Sequence, residues 1–310
     1  MKAGSLIKVY VASCWKNKKC IVTSTIPGFW STESIPQFPI PIYTIPMPDI
    51  ISLQNERIKY IVKLRGDKRQ RQRDGRMLVE GRYELELALA SGLHPDEVFF
   101  CEDLSKEQPA SFSELQLVTV SRTVFEKMSY RDNPDGWLAV VPVPHRTLDS
   151  LPLSPIPFII LVESVEKPGN LGAILRTADA VGVDGLIICD PLVDLYNPNV
   201  VRASRGTLFT IPAVETTNSE ALAYLQANKI QILAATPQAD ILYTDIDLRK
   251  PVCIAVGTED EGLTNFWMEQ ANPKVKVPMM GKVNSLNVST SAAIILYEVV
   301  RQRNMHGCKT

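Results

Sequence analysis

The stretch that decides the fold is FIILVESVEKPGNLGAILRTADAVGVDGLIICD, residues 158–190. An uninterrupted apolar run at 158–162 is followed by a polar loop, then by a segment with helical spacing at 171–181 that ends before Gly182. A second apolar run follows at 185–189. Continuous apolar strands that alternate with helices are typical of a mostly parallel sheet with helices on both faces. The stretch therefore predicts an α/β fold.

The same alternation continues towards the carboxyl end of the chain. It predicts strands at 208–213, 230–234, 252–256 and 275–277 and helices at 219–228, 264–270 and 286–302. Sheets of this kind bind ligands at the loops that leave the carboxyl ends of the strands. We therefore expect the residues that carry the chemistry in those loops.

Composition narrows the class of protein. The 310 residues suffice for two domains, and no apolar run reaches the roughly 18 residues that a membrane helix needs. With a net charge of only −1, affinity for a nucleic acid must come from a local basic surface. The six cysteines form no C-x-x-C pair, and Cys189 and Cys253 lie in apolar runs, which favours reduced thiols and a cytoplasmic protein. None of the three histidines lies in a cluster with ligand spacing, so no metal site is predicted.

The amino-terminal third divides into three segments. Residues 1–50 are expected to be an extended or disordered leader because prolines recur at 35–46, and Met47 is a candidate start codon that would make this leader non-native. Residues 51–143 predict a small α/β domain, with a helix and a basic segment at 53–76 and then short strands and helices. Prolines mark residues 144–157 as a linker to a domain at 158–310.

The basic segment has two possible explanations. It can be the solvated face of a helix followed by a mobile loop, or it can neutralise RNA phosphates, which supplies affinity without sequence preference. The basic residues that we predict to contact RNA are Lys63, Arg65, Lys68, Arg69, Arg71 and Arg73.

Three loops at strand ends are rich in polar residues and glycine, at 163–177, 257–263 and 277–289. Taken alone, each has a simple structural explanation: Asn170 and Ser285 can cap helices, and the acidic 257–263 segment can be a turn. The chain lacks both G-x-G-x-x-G and G-x-x-x-x-G-K-[ST], which disfavours a dinucleotide-dependent oxidoreductase and a P-loop protein. The acidic loop favours a cationic or neutral polar ligand over a phosphate.

Together and in this order, the loops resemble the motifs of the SpoU (TrmH-like) branch of the SPOUT methyltransferases. The resemblance covers residues 158–303, with motifs at 167–178, at 257–263 and at 277–279 with 284–289. Residues 197–207 also resemble the substrate-side loop of that family. The departures are small: the family often has Ser at the position of Thr258 and Ile at the position of Val277.

The resemblance implies a carboxy-terminal trefoil knot, a homodimer with active sites at its interface, and transfer of a methyl group from S-adenosylmethionine to a ribose 2′-hydroxyl of structured RNA. It assigns the activation of that hydroxyl to Arg176, and its orientation to Asn170, Ser285 and Asn287. It adds Arg202 and Ser204 to the RNA contacts. The residues implied on the cofactor side are Gly257, Glu259, Gly262, Val277, Met279 and Leu286.

Residues 53–143 resemble the ribosomal-protein-like substrate-binding domain that precedes the catalytic domain in many family members acting on ribosomal RNA. This favours large-subunit (23S) ribosomal RNA over transfer RNA as the substrate. A transfer-RNA methyltransferase and a non-catalytic RNA-binding or ribosome-assembly protein stay open as alternatives. Loss of Arg176, Asn170 or Asn287 would have favoured the non-catalytic alternative, and all three are present.

Overall fold

The computed structural model describes residues 10–12, 21–23, 47–106, 112 and 115–304. Strands β1 (Tyr10–Ala12) and β2 (Ile21–Thr23) pair antiparallel. The proline-spaced segment 35–46 lies outside the described residues. Ile50, which the sequence placed in the leader, is buried and forms a parallel bridge with Val120.

A four-stranded sheet follows, in the order β3-β6-β4-β5. Three of its strands run antiparallel, and β5 is parallel to β4. The strands are β3 (Arg76–Glu80), β4 (Glu97–Phe100), β5 (Leu117–Thr119) and β6 (Trp137–Pro142). The helices of this part are α1 (Glu56–Gly66), α2 (Lys68–Asp74), α3 (Arg82–Ala90) and α4 (Arg122–Met128).

The basic segment folds into two helices. The Asn55 side chain caps α1 by accepting a hydrogen bond from the backbone of Arg57, and Ile58, Ile61 and Leu64 turn one face of that helix into the core. Helix α2 starts at its own cap, Asp67, and ends at a left-handed glycine. The basic residues of 68–74 are therefore helical, and the mobile loop of the first explanation is wrong.

A seven-stranded sheet holds the rest of the core, and every pair of neighbouring strands in it is parallel. Its order is β11-β13-β10-β12-β7-β8-β9. The strands are β7 (Phe158–Glu163), β8 (Gly185–Cys189), β9 (Ala213–Thr216), β10 (Gln231–Ala235), β11 (Ile241–Leu242), β12 (Val252–Val256) and β13 (Lys274–Lys276). The helices are α5 (Pro168–Val181), α6 (Pro198–Ser204), α7 (Thr207–Thr210), α8 (Asn218–Ala227), α9 (Asn265–Gln270) and α10 (Val288–Asn304).

One predicted strand is wrong. Residues 208–213 were expected to be a strand, but Leu208 and Phe209 belong to α7, and β9 begins only at Ala213. A short apolar run does not distinguish a strand from a buried helical turn. Pro212, which cannot donate to a strand ladder, stands immediately before the strand that does form.

Several contacts between helices and loops join the half of the chain that holds the four-stranded sheet to the half that holds the seven-stranded sheet. The Arg71 side chain, 4% exposed, forms an ion pair with Asp194, 10% exposed, with 2.6 Å between Nη2 and Oδ2. The Tyr130 hydroxyl donates a hydrogen bond to the side-chain oxygen of Asn199. The segment predicted as a linker is packed as well, since Leu151 is buried and Arg146 donates to the carbonyl of Ile211 at 2.6 Å.

No helix in the described part of the chain is both long enough and apolar enough to cross a bilayer.

Candidate functional site

Four neighbouring strands end at one edge of the seven-stranded sheet. Because β13, β10, β12 and β7 are adjacent and parallel, the loops that follow them leave from the same side. The loops after β7, β12 and β13 are the three singled out from the sequence. The topology therefore brings together segments that lie about 100 residues apart in the chain.

The loops after β10, β12 and β13 enclose a cleft of about 380 Å³ together with one face of α10. The size lies within the range of pockets that hold small organic ligands. All of the predicted cofactor-side residues line this cleft, and Ser285 lines it as well. The cleft is lined by Ala235, Thr236, Pro237, Gln238, Val256, Gly257, Thr258, Glu259, Asp260, Glu261, Gly262, Val275, Val277, Met279, Asn284, Ser285, Leu286, Val288, Ser291 and Ile295.

Two further walls of the cleft were not predicted from the sequence. One is formed by residues 235–238, at the end of β10 and in the loop that follows it, and the other by Ser291 and Ile295 on α10. The signal for the first was available. Residues 235–238 read Ala-Thr-Pro-Gln directly after an apolar run, the same strand-then-polar-loop pattern as in the three motifs. The α10 residues carry no such signal, because helical spacing alone does not reveal which neighbour a face meets.

The loop after β12 folds back on itself. The backbone N–H of Thr258 donates to the carbonyl of Gly262 at 2.9 Å, and Gly262 adopts a φ of 74°. A Cβ at Gly257 would lie 2.0 Å from the Gly262 oxygen, so no other residue fits this turn without moving backbone. Gly257 thus fixes the shape of one cleft wall.

A buried carboxylate anchors the far end of this loop. Glu163, 1% exposed at the end of β7, accepts hydrogen bonds from the backbone N–H and the hydroxyl of Thr264 at 2.8 and 2.7 Å. It also accepts from Asn218 at 3.0 Å, and Asn218 in turn accepts from the Trp267 indole at 2.6 Å. The sequence signal for this network is Glu163, a charged residue at the end of an apolar strand. Its anchoring role was not predicted from the sequence.

A second link joins the loops after β7 and β12. The Glu259 carboxylate forms an ion pair with Lys167, whose side chain is mostly exposed. The hydrogen bond that Lys167 donates to the Glu259 carboxylate, reinforced by the negative charge of that carboxylate, raises the pKa of Lys167. Glu259 therefore has two contacts: it lines the cleft, and its ion pair holds the start of α5 beside the acidic loop.

The loop after β13 meets the start of α5 through two asparagines. The Asn287 amide donates to the side-chain oxygen of Asn170 at 3.2 Å, and the Asn287 oxygen accepts from the Ser289 hydroxyl at 2.6 Å and from its backbone N–H at 3.0 Å. The Asn170 amide nitrogen is buried, yet it has no hydrogen-bond partner among the described residues. A buried donor without an acceptor is costly, so its position suits a group supplied by a ligand.

Arg176 lies apart from the cleft. It is exposed on α5 and lines an open groove together with residues at the start of α5 and on α6. Gly172 permits this arrangement, because a Cβ there would lie 2.4 Å from the Cβ of Ala203. The close approach of α5 and α6 places Arg202 and Arg205 on the same groove as Arg176.

The predicted RNA contacts divide into three groups by their exposure. Lys63, Lys68, Arg69, Arg73 and Arg202 are exposed, whereas Arg65 is half-buried and donates to the Lys127 carbonyl at 3.1 Å. The predictions for Arg71 and Ser204 are wrong for this conformation, because both side chains are buried. Arg71 is held by Asp194 and by the Leu64 carbonyl at 2.7 Å, and the Ser204 hydroxyl donates to the Val201 carbonyl at 3.0 Å.

Among the described residues, no three His, Cys, Asp or Glu side chains come together as a metal site would require.

Fold and site together define an α/β enzyme with a small-ligand cleft at the carboxyl edge of a parallel sheet and a basic α/β region ahead of it. The chain matches the SpoU rRNA methylase family over residues 157–297 and the MRM3-like substrate-binding domain over residues 55–139. It is similar to a 23S rRNA (uridine(2479)-2′-O)-methyltransferase of Streptomyces viridochromogenes, with 31% identity across 82% of this chain and 92% of that relative.

Solved structures agree with these matches. The crystal structure of an RNA 2′-O ribose methyltransferase has a TM-score of 0.74 at 41% identity, covering 82% of this chain and 98% of the other. The SpoU methyltransferase AviRb from Streptomyces viridochromogenes, solved with its cofactor S-adenosylmethionine, has a TM-score of 0.75 at 31% identity, covering 80% of this chain and 99% of the other.

The chain belongs to the SpoU rRNA methylase family. The predicted family, the predicted fold class with its carboxy-terminal knot, and the predicted class of enzyme are thereby confirmed.

Proposed function

We propose that this chain transfers a methyl group from S-adenosylmethionine to the 2′-hydroxyl of a ribose in 23S ribosomal RNA. The observation that carries the proposal is a cleft walled by the loops after β12 and β13 and a separate arginine-lined groove at the start of α5, linked through the hydrogen bond between Asn287 and Asn170. One site holds a small organic ligand and the other presents positive charge to a polyanion. The relatives, a 23S rRNA 2′-O-methyltransferase and an RNA 2′-O ribose methyltransferase, have activities that agree with this division.

The cleft residues fit the cofactor. Apolar side chains such as Met279, Leu286 and Ile295 line it beside the turn at Gly257 and the acidic residues that follow. Apolar walls with a few polar groups suit a nucleoside, and carboxylates suit a ligand that carries positive charge. Gly257, Glu259, Gly262, Val277, Met279 and Leu286 would hold the cofactor, which supplies an electrophilic methyl group on a sulfonium.

The chain's own residues align and activate the attacking oxygen. Methyl transfer is a direct displacement, so the hydroxyl must be fixed in line with the methyl carbon. Asn170, Ser285 and Asn287 orient the ribose, and the free amide hydrogens of Asn170 are available for that purpose. Arg176 stabilises the developing alkoxide or directs the hydroxyl proton to a phosphate oxygen, since a permanently charged guanidinium does not act as a free base.

We propose that residues 51–143 form the RNA-binding domain, connected through 144–157 to a methyltransferase domain at 158–310. The exposed basic side chains of α1 and α2 support this division, as they can position phosphates without reading sequence. Because Arg71 and Ser204 are buried, they are not among the proposed RNA contacts. The proposed RNA contacts are Lys63, Arg65, Lys68, Arg69, Arg73 and Arg202.

We propose further that the chain works as a cytoplasmic homodimer. Met280, 96% exposed, and Val283, 62% exposed, lie on the loop that walls the cleft, and apolar side chains at such exposure suit a contact with a second copy. The cysteines of the described residues, Cys101, Cys189 and Cys253, are free and buried, as expected for a reducing compartment. Light scattering of the purified protein should give twice the chain mass.

Two measurements test the proposed function. Calorimetry should detect binding of S-adenosylmethionine and not of NAD. Purified protein given labelled S-adenosylmethionine should then label 23S ribosomal RNA transcribed in vitro and leave transfer RNA unlabelled. Labelling of transfer RNA alone would show that the protein is a transfer-RNA methyltransferase. RNA binding without any methyl transfer would show that it is a non-catalytic RNA-binding protein.

A further inference from the structure

An exposed aromatic ring and an exposed guanidinium meet at the junction of the two sheets. Tyr83, on the first turn of α3, has 53% of its surface exposed. The guanidinium carbon of Arg205 lies 5.9 Å from the centre of the Tyr83 ring, within the range of a cation–π contact. Neither residue is needed for the cofactor cleft described above.

The backbone holds these two residues beside one another. Arg205 ends α6 in the left-handed region, with a φ of 52°, and Gly206 follows with a φ of 82°. A Cβ at Gly206 would lie 2.9 Å from a methyl group of Leu87 and 3.2 Å from the Cα of Glu84, both on α3. The corner between α6 and α7 thus presses against α3, and the pair is positioned by packed elements.

The charges nearby leave Arg205 available to an anionic ligand. On α3, the Glu84 carboxylate is 2.5 Å from Arg131, and the Glu86 carboxylate is 3.0 Å from Arg82. Within the part of the chain that the structure describes, no carboxylate forms an ion pair with Arg205. Arg205 lines the groove that also contains Arg176 and Arg202.

We propose that Tyr83 and Arg205 form a platform on which an unpaired base of the RNA substrate stacks, in the groove that leads to Arg176. The inference rests on the proposed function. Single-stranded segments of RNA are recognised by stacking of unstacked bases on aromatic rings and guanidinium planes. An aromatic ring on helix α3 of the amino-terminal half and a guanidinium at the end of α6 in the other half would fix the substrate strand relative to both halves.

The test compares Tyr83→Ala, Tyr83→Phe and Arg205→Gln, with Arg249→Gln as a control at an arginine that is exposed but does not line the groove. The probe is 23S ribosomal RNA transcribed in vitro, with methyl transfer measured over a range of RNA concentrations. Loss of one stacking contact should raise KM for the RNA roughly tenfold in Tyr83→Ala while kcat changes little. Tyr83→Phe keeps the ring and should behave like the wild type, as should Arg249→Gln.

The salt dependence separates stacking from charge. Tyr83→Ala should leave the slope of log affinity against log salt unchanged, because stacking releases no counterions, whereas Arg205→Gln should flatten it by about 0.7 to 0.9 per lost phosphate contact. Equal KM in Tyr83→Ala and wild type would overturn the inference, and so would a Phe variant as weak as the Ala variant. Neither result contradicts the proposed function. The proposed function is contradicted only if the wild type transfers no methyl group to RNA.

Discussion

Arg176 is the residue on which the proposed chemistry depends most. It lines the RNA-side groove and not the cofactor cleft, so its removal should separate the two functions. We expect Arg176→Ala to abolish methyl transfer and to leave the affinity for S-adenosylmethionine nearly intact by calorimetry. Arg176→Lys retains the positive charge but lacks the planar guanidinium with its several donors, and it should therefore show little methyl transfer. Retained turnover in Arg176→Ala would remove the residue from the catalytic role.

Gly257 gives a second test at the residue scale. Because a Cβ there would lie 2.0 Å from the Gly262 oxygen, Gly257→Ala must displace the backbone that walls the cleft. We expect the affinity for S-adenosylmethionine to fall roughly tenfold or more, about 1.4 kcal/mol or above. Gly66→Ala is the matched control, since its Cβ would meet nothing within 4 Å. Unchanged cofactor affinity in Gly257→Ala would mean that this turn does not shape the site.

How far single residues can be predicted from sequence depends on where their partners lie. The residues of the cofactor cleft were predictable because each follows an apolar strand in a recognisable loop. The burial of Arg71 was not, because its partner, Asp194, lies 123 positions away in the other half of the chain. A basic residue within a basic segment looks solvated until its helix is placed against a distant loop.

At the scale of elements, helix α2 carries the clearest prediction. Its exposed basic side chains should contact phosphates rather than bases. The combined reversal Lys68→Glu, Arg69→Glu and Arg73→Glu should weaken binding to all RNAs by a similar factor and flatten the salt dependence. Reversal of Lys229, Arg249 and Lys250, which are also exposed but lie in the other half, is the control. A loss confined to one RNA sequence would contradict a positioning role.

The elements themselves were predictable wherever the apolar pattern was long or bounded by clear caps. Helix α5 ends at Gly182 in the left-handed conformation, as the sequence indicates, and α8 begins at the capping box of Thr217 and Glu220. The failure at α7 has the opposite cause. A four-residue helix has no periodicity to show, and the burial of Leu208 and Phe209 against α3 and α5 comes from tertiary packing.

For the whole molecule, the buried pair of Arg71 and Asp194 should couple the two sheets. Arg71→Ala leaves the carboxylate of Asp194 buried without its counter-charge, a change that costs about 3–5 kcal/mol in comparable pairs. We expect the midpoint of urea unfolding to fall accordingly. The double variant Arg71→Met with Asp194→Leu removes both charges and should recover much of the loss. A double variant no more stable than Arg71→Ala would contradict this explanation.

The order of the strands in the seven-stranded sheet could not be predicted from the periodicity of the sequence. Alternation of strands and helices predicts a parallel sheet, but it does not predict that β13 lies between β10 and β11 or that the chain is knotted. The knot came only from the resemblance of three loops to a known family. Individually those loops are compatible with caps and turns, and their order along the chain is what identified the fold.

The most direct test of the central claim is to map ribose methylation in 23S ribosomal RNA incubated with the purified protein and S-adenosylmethionine. The account predicts new 2′-O-methylation with the wild type and none with Arg176→Ala, although both bind the cofactor. Methylation on a base atom, or no methylation of ribosomal RNA by a wild-type protein that binds S-adenosylmethionine, would contradict it.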